Sequence, residues 1–211
     1  MIRQRPALLL FILGTSLAGC AVAPPAPAPV DGSAEQAWRA RAARLNTIEA
    51  FRIKTKLGVS APERTGQGTM VWQRAGFEHH IDVFGPLGGG RVVLTRDASG
   101  ALLRDGEHTY AAETMEQALW EATGWQIPFT AMSYWVLGLP APDRPYGHEL
   151  DAHGRLRTLE QSGWRIRYDD YRPAGQYDLP RKMVLESAQY GPGTDAAAPV
   201  KVRLAIKEWR L

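Results

Sequence analysis

The amino-acid sequence predicts a mainly β fold, about ten antiparallel strands joined by turns with a few helices beside them. Three observations predict it. Apolar residues over much of the chain recur with a period of two, the repeat of a half-buried strand. Helical spacing appears in only three segments. No strand–helix–strand repetition appears, so a parallel sheet is not expected.

The strand evidence is clearest at the end of the chain. Val200, Val202, Leu204 and Ile206 alternate with Lys201, Arg203, Ala205 and Lys207, which places apolar groups on one face only. Trp164, Ile166 and Tyr168 alternate in the same way with Arg165, Arg167 and Asp169. Phe77, Ile81 and Val83 alternate with Glu78, His80 and Asp82. Met70 and Trp72 share a strand face, and Val92 and Leu94 continue the pattern. Shorter apolar runs surround Leu102, Tyr110, Leu156 and Met183, each bounded by Gly, Pro or Asp. This spacing suits a barrel or a sandwich, and alternation alone does not choose between them.

The helical segments come next. Residues 34–50 set Ala37, Trp38, Arg41, Leu45 and Ile48 at helical spacing among good helix formers. Residues 114–123 carry Met115, Ala118, Leu119 and Ala122 on one face, with Gly124 as a stop signal. Residues 131–137 are short and very apolar, closed by Gly138 and Pro140.

The N-terminus reads as an export and anchoring segment. Arg3 and Arg5 precede a short apolar run at 7–13 and a small-residue stretch at 14–19, the order of a secretory signal. That run is too short to cross a bilayer, which takes about 20 apolar residues. Leu17-Ala18-Gly19-Cys20 resembles the lipobox of bacterial lipoproteins, which implies cleavage after Gly19 and a diacylglycerol on Cys20. Cys20 is the only cysteine, so no disulfide framework exists, and acylation gives that thiol a use. Residues 20–33 hold Pro24, Pro25, Pro27 and Pro29 among alanines and form a tether of about 3 Å per residue where polyproline-like. Lipoproteins kept at the inner membrane tend to carry aspartate after the cysteine. Ala21 stands there, which implies outward sorting. Residues 34–211 are then a single folded domain.

Charge excludes some functions. The formal charge of +3 includes Arg3 and Arg5, so the mature chain carries about +1. No basic block or glycine-rich phosphate loop is present, so nucleic acid and nucleotide are not expected partners. His79 and His80 are adjacent and would face opposite sides of a strand, so they cannot ligate one metal as a pair. His108, His148 and His153 belong to no metal motif, and Asp169-Asp170 reads as a solvated turn. No Gly-x-Ser-x-Gly, His-Glu-x-x-His or Cys-x-x-Cys pattern exists. Neither an enzyme nor a cofactor or metal is expected.

The apolar residues are themselves the candidate site. Tryptophan and methionine suit an adaptable apolar pocket. Met70, Trp72, Ile81, Val83, Val92, Leu94, Ile166, Met183 and Leu204 share the inner parity of their strands. Leu119, Trp135 and Val136 sit on the apolar helices. A second feature is the run Phe84-Gly85-Pro86-Leu87-Gly88-Gly89-Gly90, a glycine-rich loop around a leucine. Loops run over the surface, so Leu87 is expected to be exposed or docked on a partner.

Over nearly the whole mature chain the sequence resembles the LolB family of outer-membrane lipoprotein receptors. The matching residues include Trp38, 69–73 with its Trp72-Gln73 pair, Gly85-Pro86-Leu87-Gly88, 118–128 and Tyr134-Trp135-Val136-Leu137-Gly138-Leu139-Pro140. They continue in Gln161-Ser162-Gly163-Trp164, Tyr168, Leu179-Pro180 and Trp209. The strings around Trp135 and Leu87 are the most specific. The resemblance implies an unclosed antiparallel β-barrel of about ten or eleven strands, with helices over an apolar acyl-chain cavity. It also implies a monomer at the periplasmic face of the outer membrane, which takes acylated lipoproteins from the periplasmic carrier LolA. The cargo would then pass into outer-membrane phospholipid through a loop with Leu87 at its tip. The spacer and the insert at 191–199 are not obviously part of the family pattern. The competing expectation is an envelope assembly lipoprotein that binds a protein partner through its helices.

Overall fold

The computed structural model describes residues 32–61, 65–85, 90–187 and 200–211. The signal, Cys20, the tether through residue 31, the loop residues Pro86, Leu87 and Gly88, and the insert at 191–199 lie outside the described residues.

A helix, α1 (Gly32–Leu45), leads into six strands: β1 (Ala50–Ser60), β2 (Thr65–Ala75), β3 (Glu78–Phe84), β4 (Arg91–Asp97), β5 (Gly100–Asp105) and β6 (His108–Ala112). Two short helices follow, α2 (Met115–Thr123) and α3 (Phe129–Trp135). The chain closes with β7 (Tyr146–Leu150), β8 (Leu156–Gln161), β9 (Trp164–Ala174), β10 (Tyr177–Ser187) and β11 (Val200–Arg210). The strands form one antiparallel sheet in the order β6-β5-β4-β3-β2-β1-β11-β10-β9-β8-β7. It is two meanders joined where β1 meets β11, with Arg52 opposite Arg210 and Ser60 opposite Lys201. β6 and β7 are its two edges and do not pair, so the sheet is unclosed.

Period two sorts the residues of each strand. Along β11, Val200, Val202, Leu204 and Ile206 are buried while Arg203 and Lys207 face solvent. Across β1 and β2, Ile53 stands opposite Trp72 and Thr55 opposite Met70 on the inner face. Burying each such large apolar side chain stabilises the fold by about 1.5–3 kcal/mol. Helix α2 has the ends its sequence implies. The Thr114 hydroxyl accepts the Gln117 N–H at 3.1 Å, and Gly124, at φ 72°, adopts the left-handed turn that ends the helix. Helix α3 starts at Pro128 without a cap of its own, and Glu116 of α2 accepts the Thr130 N–H at 2.8 Å instead. Helix α1 docks through Trp38, Arg41 and Leu45. At its first turns a Cβ on Gly154 would lie 2.7 Å from the Trp38 nitrogen, so only glycine admits this approach.

Several details differ from the sequence reading. Helix α1 stops at Leu45, not at residue 50, because the Thr47 and Ile48 N–H groups bond three residues back, to Arg44 O and Leu45 O, and the Thr47 hydroxyl also donates to Arg44 O at 2.8 Å. The strand β1 that follows overlaps the expected helix only at residue 50 and was not among the expected strands. The other unexpected strand is the edge strand β7, whose Tyr-Gly-His-Glu-Leu has no apolar alternation. Phe77 is 57% exposed in the β2–β3 turn and does not share the inner face with Ile81 and Val83; His79 takes that place. Asp169 and Asp170 are not a turn but lie within β9, where a bulge opposite Pro180–Lys182 lets both point to solvent and pair with Arg167 and Arg181.

Candidate functional site: an apolar inner face under a helical roof

Helices α2 and α3 and the segment running to Ala141 cover one face of the sheet, and the candidate apolar residues lie in that layer. Trp72, Trp135, Val136 and Ile166 expose none of their surface, and Met70, Ile81, Leu94, Met183 and Leu204 almost none. Leu119 is buried as well, while Val83 and Val92 are half-buried at the margin. These side chains pack on one another. The Phe129 ring of α3 stands perpendicular to the Trp72 ring at 6.0 Å, and the Trp135 and Trp164 rings are 6.2 Å apart. A residue with no exposed surface touches no water-sized void, so side chains fill the layer around Trp72, Trp135, Val136 and Ile166, while Val83 and Val92 stay partly exposed at its margin.

Polar contacts fix the roof to the sheet at a few points, and sequence reasoning missed most of them. Gln161, at the end of β8, accepts the Trp135 Nε1–H and the Ala141 N–H, each at 2.8 Å, and donates Nε2 to Ala141 O at 2.9 Å. The β8–β9 turn explains why Gln161 is there. Ser162 and Gly163 both have positive φ, the geometry of a two-residue hairpin, so Gln161 and Trp164 pair and face inward together. The Tyr168 hydroxyl donates to Trp135 O at 3.0 Å, and burial holds that phenol well above its usual titration range. From β2, Arg74 donates to Ser133 O at 3.5 Å and lies over the rings of Phe51 and Tyr134. A Gln-Ser-Gly-Trp string is visible in sequence, but the partner of its glutamine is not.

His79 is the other inner polar group. Its Nδ1 accepts the Trp72 Nε1–H at 3.1 Å, which fixes the neutral tautomer with the proton on Nε2. Burial, followed by the nearby Arg74 and Arg96 guanidinium groups, lowers its pKa to about 4. His80 faces the other side and bonds Asp82 at 2.9 Å. His148 meets Glu35 at 3.2 Å beside Trp38, and so serves the docking of α1 on β7. Among the described residues no three histidine, cysteine, aspartate or glutamate side chains converge as a metal site would require. The Arg41 guanidinium is buried beneath α1, where it donates to Asp178 O and lies over the Tyr171 ring.

Fold and site together define a class: an open antiparallel sheet curled around an adaptable apolar layer and roofed by helices. The family described as "Outer membrane lipoprotein LolB" matches residues 49–209. An outer-membrane lipoprotein LolB of Pseudomonas aeruginosa is 37% identical over 208 residues, covering 96% of both chains. One from Pseudomonas putida is 34% identical over 203 residues, covering 96% of this chain and 94% of the relative. A solved LolA superfamily protein from Nitrosomonas europaea overlays with a TM-score of 0.38 at 10% identity, over 84% of this chain and 93% of that one, too loosely to carry an argument. The chain belongs to the LolB family of outer membrane lipoproteins.

Proposed function

We propose that the chain, anchored through an acylated Cys20 at the periplasmic face of the outer membrane, accepts lipoproteins from the carrier LolA and delivers them into that membrane. It holds their acyl chains against the inner face of the sheet and uses no nucleotide. The observation that supports this reading best is the make-up of the buried layer, where Met70, Met132 and Met183 share one cluster with Trp72, Trp135 and Trp164. Methionine is unbranched and fits irregular shapes, so the same layer can close on itself or on an alkyl chain.

The physical chemistry requires such a layer. An acyl chain contributes about 0.8 kcal/mol per buried CH₂, so a multiply acylated protein does not cross water unaided. A receptor has to hold the chains more tightly than the donor and less tightly than the bilayer. Because side chains fill the layer around Trp72 and Trp135, acyl chains reach that part as the roof moves off the sheet. The attachments that yield are Trp135 to Gln161, Tyr168 to Trp135 O and Arg74 to Ser133 O. When cargo leaves, the roof covers the apolar face again.

The test uses the mature chain carrying Cys20→Ser and a photoreactive residue in place of Leu94. Presented with LolA-bound lipoprotein, it is expected to crosslink the acylated form and not the same protein without acyl chains. Equal capture of both forms would sink the acyl-chain reading and favour an assembly lipoprotein that binds a protein partner.

A further inference from the structure

The outer face of the sheet is turned away from the helical roof, and its central strands are strongly and unevenly charged. The outward carboxylates of β10 and β11 are already engaged: Glu186 with Lys201, and Glu208 with Arg210 at 2.5 Å and Arg52 at 4.0 Å. Among the described residues no carboxylate lies within ion-pair distance of Lys54, Lys56, Lys182, Arg203 or Lys207. A solvated face ordinarily mixes charges of both signs. Here one sign dominates on a mature chain that is close to neutral.

Within this patch Lys54, Lys56 and Lys207 line a shallow depression of about 480 Å³ together with Thr69, Val71 and Phe84. Lys56 Nζ donates to Thr69 Oγ1 at 2.9 Å, which holds that ammonium over the depression. Phe84 is 39% exposed, an unusual state for a strand phenylalanine beside a cationic rim. The set combines several ammonium groups with an aromatic and an aliphatic surface.

We propose that this depression and the lysines around it bind the phosphate headgroups of anionic phospholipid, so that the outer face of β1, β2 and β11 lies against the membrane surface. Lysines are hydrated point charges on flexible stems, suited to a diffuse anionic surface and less to a fixed planar partner. A half-exposed ring at the edge of such a patch sits well at the headgroup level of a bilayer. Phe84 is also the last residue of β3. The inference rests on the outer-membrane setting of the family and not on the acyl-chain reading.

Vesicle flotation of the mature Cys20→Ser chain tests it, because the missing acyl anchor leaves only the protein surface. The chain is expected to bind vesicles of phosphatidylcholine with phosphatidylglycerol, to bind pure phosphatidylcholine weakly, and to dissociate as salt rises. Each lysine contributes about fivefold near an anionic surface, so combining Lys54→Gln, Lys56→Gln and Lys207→Gln should weaken binding about a hundredfold. Arg104→Gln, an outward cation on the distant β5, should change it less than about fivefold. Thermal unfolding confirms that the variants fold. Undiminished binding by the triple variant overturns the proposal. So does an equal loss in Arg104→Gln, equal binding of the parent to both vesicles, or a triple variant that loses only its docking to LolA. Acceptance of acylated lipoprotein is measured in parallel. Its absence in the parent chain would refute the acyl-chain reading and leave the vesicle result standing.

Discussion

Gln161→Ala tests the roof most directly. The substitution leaves the Trp135 Nε1–H, the Ala141 N–H and the Ala141 carbonyl without their partner, all in a region sealed from solvent. Each orphaned buried group costs about 1–3 kcal/mol, and water entering the space left by the side chain recovers part of that, so the net loss is about 3 kcal/mol. For a domain of this size 1 kcal/mol corresponds to about 2–4 °C, so the melting temperature should fall by roughly 6–12 °C. Amide hydrogen exchange supplies the local readout. Protection in α3 and through Ala141 should drop more than in β10 and β11, because the clip holds the roof and not the sheet. If the melting temperature falls by no more than about 2 °C and α3 keeps its protection, Gln161 is not what fastens the roof.

Three further outcomes are expected. His79 titrates near 4 when folded and near 6.5 when unfolded, so the unfolded chain binds its proton first; the stability is complete above pH 6.5 and lost as pH falls toward 4, by about 3 kcal/mol. Chemical denaturation across that range should show the slope, and His79→Phe should remove it. Leu94→Glu places a carboxyl between Ile81 and Leu103 and should cost about 3–5 kcal/mol while weakening lipid binding; a folded variant with unchanged lipid affinity counts against the acyl layer. Leu87→Glu should leave melting and acceptance of cargo nearly unchanged and cut delivery into outer-membrane vesicles by about tenfold or more, whereas parallel loss of all three would mean that the leucine packs into the fold.

How far the sequence could be read depended on which residues decide each element. Where burial sets a strand's pattern, as in β11 and the first half of β9, alternation was enough to assign the inner face. Helix α2 was legible because both its ends are chemical signals, Thr114 and Gly124. Strand β1 has the same alternation, with Phe51, Ile53 and Val59 buried between Arg52, Lys54 and Lys56, but inward Thr55 interrupts the apolar run and blunts the signal. Edge strand β7 buries little, so tertiary pairing with β8 makes it a strand. The site divides the same way. Its apolar lining follows from parity, whereas the Gln161 clip and the Trp72–His79 bond join residues whose pairing depends on turns and registers that one sequence does not display.

The seam between β1 and β11 sets the order in which this protein can become itself. It lies in the middle of the sheet, yet it pairs the first strand of the chain with the last. Contacts so distant in sequence form slowly, since a long loop has to close before they contribute. Each meander can pair its own neighbours as it emerges, but the two halves stay separate until β11 is available. This is a timing device: the apolar layer cannot shut until β11 has reached β1. The same geometry makes β11, the last of the described strands, the one on which the unity of the sheet depends.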